Sequence, residues 1–212
     1  MRSFRNPARE TIRTFLDAQG KLGFSYASVG ATAGVPPSGY ILDHTRIKLG
    51  DGEAVFDRAR SALRHWDQFR LGWVRIEPED APIEVGTLVA VVARKLGLWW
   101  SNACRIIYVI DDDGPVRRFG YAYGTLPDHA GTGEERFQVE WDTATGEVYY
   151  DILAFSRPQL WIMRIGYPYL RWSQKQFGRE SSAVMKAIAS GADGTGRPAT
   201  AAPEDAKDDR RD

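Results

Sequence analysis

The residue types in this sequence that could do chemistry concentrate between Asn102 and Asp151, where phenols, carboxylates, a histidine and arginines stand among aromatic residues. Tyr121 and Tyr123 alternate with Gly120, Ala122 and Gly124, so both phenols leave the same face of a strand and could aim their hydroxyls at a ligand. The same pattern fits sheet aromatics that are half buried with a wet tip. Asp151 falls among aromatic residues, where a carboxylate needs a cationic partner such as Arg105 or Arg136. A structural ion pair and a catalytic acid both match that description. His129, within Thr125–Gly131, belongs to a loop at a sheet end, a place where functional side chains gather. Asn102 and Arg105 follow Trp99 and Trp100 at a strand start; exposed indoles would mark a binding edge, and buried ones would close one end of the sheet. The candidate ligand-binding residues are therefore Asn102, Arg105, Tyr121, Tyr123, His129, Arg136 and Asp151, with no catalytic residue assigned.

More specific chemistries lack their signatures. Ser156, His129 and Asp151 could form a nucleophilic set, but a chain of this length offers such combinations by chance. No Gly-x-Ser-x-Gly elbow, phosphate loop or dinucleotide fingerprint accompanies them. Cys104 is the single cysteine and has no histidine beside it in sequence to activate it. His44, His65 and His129 are far apart, and no Cys/His cluster has metal-ligand spacing, so neither a metal nor a cofactor is expected. Lys plus Arg and Asp plus Glu both number 28, and a zero net charge gives no electrostatic case for a nucleic-acid partner. No window approaches the roughly 20 apolar residues of a membrane span, and no apolar stretch of signal-peptide length follows the N-terminal arginines. With a lone cysteine, this pattern reads as a cytoplasmic protein.

With 43% hydrophobic, 12% aromatic and 26% charged residues in 212, the chain can bury a core, and its periodicities indicate how. Residues 7–20 carry Ile12, Phe15 and Leu16 at helical spacing, and residues 24–39 read as a Gly/Pro-rich loop. Tyr40–Leu49 alternates as a strand. Asp51 is placed to cap a helix whose apolar stripe is Val55, Ala59, Ala62, Leu63 and Trp66. Strand signals follow at Leu71–Glu77, Thr87–Lys95, Ala103–Asp111, Arg117–Gly124, Glu134–Asp142 and Glu147–Phe155, with hairpin turns at Asp111–Pro115 and Thr143–Gly146. In the fifth of these, Glu134, Arg136, Gln138, Glu140 and Asp142 make a face that reads as solvated, while Glu135, Phe137, Val139 and Trp141 make the other. Helical patterns return over Pro158–Ile165 and Tyr169–Ala189, the latter with Phe177 and Val184 expected on the buried face and Lys175 and Arg179 toward solvent. Residues 191–212 hold no bulky apolar side chain and read as a disordered tail.

The order strand, helix, six strands, long helix predicts an α+β helix-grip domain, a curved antiparallel sheet of about seven strands around a C-terminal helix. Residues 1–39 lead into it, and residues 40–190 form it.

Several stretches together also resemble a known family: Leu96–Trp99 with Asn102–Arg105, Tyr121–Pro127 with His129, Glu134–Phe137 with Trp141–Asp142, and Ala154–Pro158. The family is the uncharacterised domain of unknown function nineteen-ninety, and the likeness runs from about Phe24 to Ala189. It is grouped with the Bet v 1-like, lipid-transfer (START) and polyketide-cyclase superfamily, which implies the same helix-grip fold. That superfamily holds carriers, sensors and cyclases, so no activity follows from it. Architecture and the supply of aromatic residues point first to a non-catalytic protein that binds a small apolar or amphipathic molecule between sheet and helix. An acid/base enzyme using that cavity and a protein-interaction domain are the alternatives.

Overall fold

Alternation of apolar and polar residues, punctuated by turn residues, produces a sheet whose long strands are all antiparallel. The computed structural model describes residues 1–158 and 167–191. In chain order the elements are β1 (Arg2–Ser3), α1 (Arg9–Gly20), β2 (Ile41–Asp51), α2 (Glu53–Arg64), β3 (Val74–Glu77), β4 (Leu88–Lys95), β5 (Leu98–Asp112), β6 (Val116–Thr125), β7 (Gly131–Asp142), β8 (Glu147–Pro158) and α3 (Tyr167–Ala189). The sheet runs β2-β8-β7-β6-β5-β4-β3, with the short β1 added beside β5. Only β2 is out of sequence order; it lies on β8, so the first long strand borders the last.

Four details differ from the sequence reading. Asp51 does not cap α2; Gly52 occupies the cap, and Asp51 pairs with Lys48 at 2.8 Å. The strand expected from Leu71 begins at Val74, because a 3-10 turn over Asp67–Phe69 turns Phe69 into the core first. β5 begins at Leu98 rather than Ala103. Leu96 and Gly97 have φ of 53° and 75°, the left-handed pair that a two-residue hairpin turn requires, and they join β4 to β5 directly. The helix expected over Pro158–Ile165 has its first residue at the end of β8 and otherwise lies outside the described residues, as does the tail from 192 onward.

The inner face of the sheet carries the main core. Phe119 and Tyr121 of β6, Phe137 and Val139 of β7, and Tyr150 and Ile152 of β8 meet Phe56, Ala59 and Leu63 of α2 and Met185 and Ala189 of α3. Both edges of the sheet reach α3. Arg171 forms a two-pronged ion pair with Asp43 of β2, and Glu180 accepts a 2.6 Å hydrogen bond from Trp73 Nε1, just before β3 at the opposite edge. A sheet whose two edge strands both touch one helix must curl around it, so this is a helix-grip fold.

The buried side of α3 is not built from the bulky residues the sequence suggests. Ser173, Gly178, Ser181, Ser182, Met185 and Ala189 are buried, Phe177 and Ile188 pack at the margin, and Val184 is only half buried. Small residues let the helix lie close to the strands, and Tyr150 and Ser181 share a 2.9 Å hydrogen bond across that contact. Lys175 and Arg179 are exposed as expected.

The outer face is covered by the N-terminal forty residues. Ile12 and Leu16 of α1 pack on Ala90, Val92, Ala103 and Leu126. Residues 24–39 cross the sheet beside them, with Ser25 N–H donating to Thr125 O at 3.0 Å. A Cβ on Gly124 would stand 2.3 Å from Tyr26 Oη, so the small side of β6 admits this segment.

Candidate functional site

Between the inner face and α3 lies a cavity of about 240 Å³. Its floor is a cross-strand row. Asp43 of β2 pairs with Ala154 of β8, Ala154 pairs with Glu135 of β7, and Glu135 pairs with Tyr123 of β6. All four belong to the inner face, and the methyl group of Ala154 leaves room between the two carboxylates. Phe69, Ile152 and Phe177 supply apolar walls, and Ser173 and Gln174 of α3 line the helix side.

Alternation in β7 puts Glu135 on the same side as Phe137 and Val139, which is why a carboxylate ends up in an apolar cavity. Tyr123 Oη donates to Glu135 Oε2 at 2.7 Å. Burial pushes the carboxyl up to about 7; the Tyr123 hydrogen bond opposes this, and the nearby Asp43 charge adds to it. The neighbouring carboxylates are better compensated. Asp43 is held by Arg171. Glu134, on the outer face and 3% exposed, accepts from Tyr26 Oη at 2.8 Å, Gly30 N–H at 2.7 Å, Thr32 N–H at 2.9 Å and the Thr32 hydroxyl. A carboxyl that titrates near neutrality beside a phenol can exchange a proton at working pH, or hold a cation or a hydrogen-bond donor.

Two further groups lining the cavity lack ordinary partners. Ser173 Oγ is buried without a hydrogen bond among the described residues, and Ser173 as a whole is 1% exposed. Lys95, at the end of β4, lies over the ring of Trp73 at 4.5 Å, and burial lowers its ammonium to about 8. No carboxylate among the described residues forms an ion pair with it.

Of the residues singled out from sequence, Asn102, Tyr123 and His129 line this cavity. Asn102 Oδ1 accepts from Ala130 N–H at 3.2 Å and so ties the β6–β7 loop to the sheet. His129 is turned back on its own loop, with Gly131 N–H donating to Nδ1 at 3.0 Å, and burial lowers its imidazole to about 4. It is neutral at pH 7. Tyr121 is fully buried beside Trp66 and Phe137 and receives a hydrogen bond from Gln68 Nε2.

The other three belong to the outer face. Arg105 donates to Gly20 O at 2.7 Å and Leu22 O at 3.0 Å, fastening the end of α1. Asp151 accepts from Arg136 at 2.8 Å and shares a 2.7 Å hydrogen bond with His44 Nε2. Burial pushes the Asp151 carboxyl up, but the His44 and Arg136 hydrogen bonds outweigh it and hold the group below the usual range. Asp151 is thus the structural ion pair, and Ser156, His129 and Asp151 do not assemble: Ser156 Oγ accepts from Gln174 at 3.1 Å instead.

Glu135, Lys95 and Ser173 were not among the candidates. The signal for Glu135 was present, since it is the one charged residue on the Phe137, Val139 and Trp141 side of its strand.

A pH dependence follows from Glu135. Its folded value of about 7 lies above the ordinary 4.5, so folding favours the protonated form. That contribution is complete below about pH 4.5 and is lost as pH rises through 7. Cavity water softens the effect, and roughly 1–2 kcal/mol of stability is expected to disappear across this window. Glu135→Gln removes that slope and makes the protein more stable than the parent at pH 8, which urea melts at pH 5 and pH 8 measure.

A curled antiparallel sheet closed on a C-terminal helix, with an apolar cavity and a poorly compensated carboxyl between them, defines an α+β helix-grip protein. The chain belongs to the family described as Domain of unknown function (DUF1990), whose signature matches residues 25–184. It is 35% identical over 207 residues to a UPF0548 protein of Dictyostelium discoideum, covering 88% of this chain and 95% of that one. A UPF0548 protein of Arabidopsis thaliana is 32% identical over 169 residues, covering 77% and 81%. Among solved structures, human STARD10 is similar over 88% of this chain and 81% of its own, at 11% identity and a TM-score of 0.43. Among the described residues, no helix is long and apolar enough to cross a membrane, and no group of three or more His, Cys, Asp or Glu is arranged to hold a metal ion.

Proposed function

We propose that this protein binds a small, largely apolar molecule in the cavity between the sheet and α3. The observation that carries the reading is the cavity itself, apolar-walled and floored by the row Asp43, Ala154, Glu135 and Tyr123. At about 240 Å³ it exceeds the roughly 150 Å³ cavity that admits benzene and falls just below the roughly 300–1,000 Å³ of drug-sized pockets. A ligand with one ring or a short chain matches that volume. Ser173 Oγ supports the same reading, because a buried hydroxyl without a partner is costly unless something else satisfies it. Native mass spectrometry of the protein purified from its source is expected to show one small-molecule adduct that denaturation removes. A protein that carries no adduct and takes up no small aromatic probe contradicts the reading.

Acid/base catalysis in the same cavity is a second reading, favoured by the Glu135 carboxyl titrating near neutrality against the Tyr123 hydroxyl. It requires that a bound ligand exchange a C–H proton with solvent in the parent and not in Glu135→Gln.

A further inference from the structure

We propose that the molecule held in this cavity is a small protonated amine on an apolar body, with its ammonium seated at Glu135. The inference rests on the cavity being a ligand site and adds the ligand's chemical class.

Glu134, Asp151 and Asp43 each meet several donors or a guanidinium, as buried carboxylates must. Glu135 has one hydrogen bond, from Tyr123 to Oε2, and Oε1 has no donor among the described residues. Among the described residues, the titratable groups within its electrostatic reach are Tyr121 and Tyr123 on β6, Cys104 on β5, Tyr150 on β8 and Asp43 on β2, and none of them is a cation. Arg171 of α3 reaches the row at Asp43, and its guanidinium is engaged by both oxygens of that carboxylate. Lys95 is well removed along the strands. It pairs with Leu98 near the start of β5, whereas the Glu135 row meets β5 through Tyr123 at Ile106.

Among the described residues, the Glu135 carboxyl therefore has no cationic partner. Glu135 and Asp43 flank Ala154 on the strands either side of it, about 10 Å apart at the backbone, with only a methyl group between them. The rings of Tyr123, Phe69 and Phe177 line the same cavity, and aromatic rings attract cations. Ser173 Oγ, without a partner among the described residues, can accept a hydrogen bond from the same ligand. The volume limits the body to about one ring with a short arm.

Calorimetric titration of the full chain at pH 8 with benzylamine, benzyl alcohol and benzoate tests this, since the three share a ring and differ in charge. Benzylamine is expected to bind at least tenfold more tightly than benzyl alcohol, and benzoate more weakly than either. Glu135→Gln should lower benzylamine affinity about 10- to 100-fold, the range of hydrogen bonds to charged groups, and leave benzyl alcohol unchanged. In the parent, benzylamine affinity should fall between pH 8 and pH 6 as Glu135 takes up its proton. Equal affinities for benzylamine and benzyl alcohol would overturn the amine assignment while leaving the cavity as a site. Preference for benzoate would overturn it in favour of Lys95 as the anchor. Failure of all three to bind would remove the cavity reading and this inference together.

Discussion

Replacing Glu134 with alanine is expected to cost about 3–5 kcal/mol, because it removes one side of a buried charged network and strands the donors. The Tyr26 hydroxyl, the Gly30 and Thr32 amides and the Thr32 hydroxyl all converge on this carboxylate. Those donors belong to residues 24–39, whose other ties to the sheet, the Ser25 hydrogen bonds to Thr125 and the Tyr26 ring against Phe155, stay in place. The loss should therefore be local first. Hydrogen exchange at the Gly30 and Thr32 amides should accelerate before the strands open, and urea melts should give the global cost. Glu134→Gln keeps one acceptor and should lose less. An alanine variant within half a kcal/mol of the parent would mean that the N-terminal segment is held by its other hydrogen bonds and its apolar contacts.

Phe177→Ala is expected to cost about 3 kcal/mol, the low end of the usual range for a buried phenylalanine. The ring stacks near Phe69 at 5.0 Å and Phe137 at 6.2 Å, but it is only partly buried because its free side faces the cavity. Truncation enlarges an existing space rather than opening a new one, which moderates the cost. Lys175 is exposed on the opposite side of α3, so Lys175→Ala should change stability by less than about 0.5 kcal/mol. Denaturant melts of the two variants compare them directly. Equal effects would place α3 outside the core.

These residues also mark where the sequence was legible. The alternation of Phe119, Tyr121 and Tyr123 against glycine and alanine identified the inner face of β6, and the turns at Asp111–Pro115 and Thr143–Gly146 set the hairpins around it. What alternation cannot say is what covers each face. The Glu134, Arg136, Gln138 face read as solvated because nothing in residues 24–39 announces that this segment lies on it; the cover is held by hydrogen bonds to Glu134, Thr125 and Arg136 and by scattered aromatic contacts, not by an apolar period. For that reason Arg105, Arg136 and Asp151 read as ligand candidates although each is engaged in holding the outer layer together. The buried side of α3 is only partly legible for a related reason: a search for large apolar residues passes over Ser173 and Gly178, whose small size is what lets the helix approach. Glu135 was legible in principle. A single carboxylate on the apolar side of a strand is a conflict between pattern and residue, and such conflicts gather at functional sites.

The central claim is that the space between the sheet and α3 is a ligand site, and mapping a small aromatic probe onto the protein by NMR tests it most directly. Amide shifts are predicted to move with saturation at Glu135 and Gly133 in β7, at Ala154 in β8 and at Ser173 through Gly178 in α3, while α1 and the loop after β5 stay still. Shifts confined to the groove between α1 and β4, or no saturable shift anywhere, would contradict it.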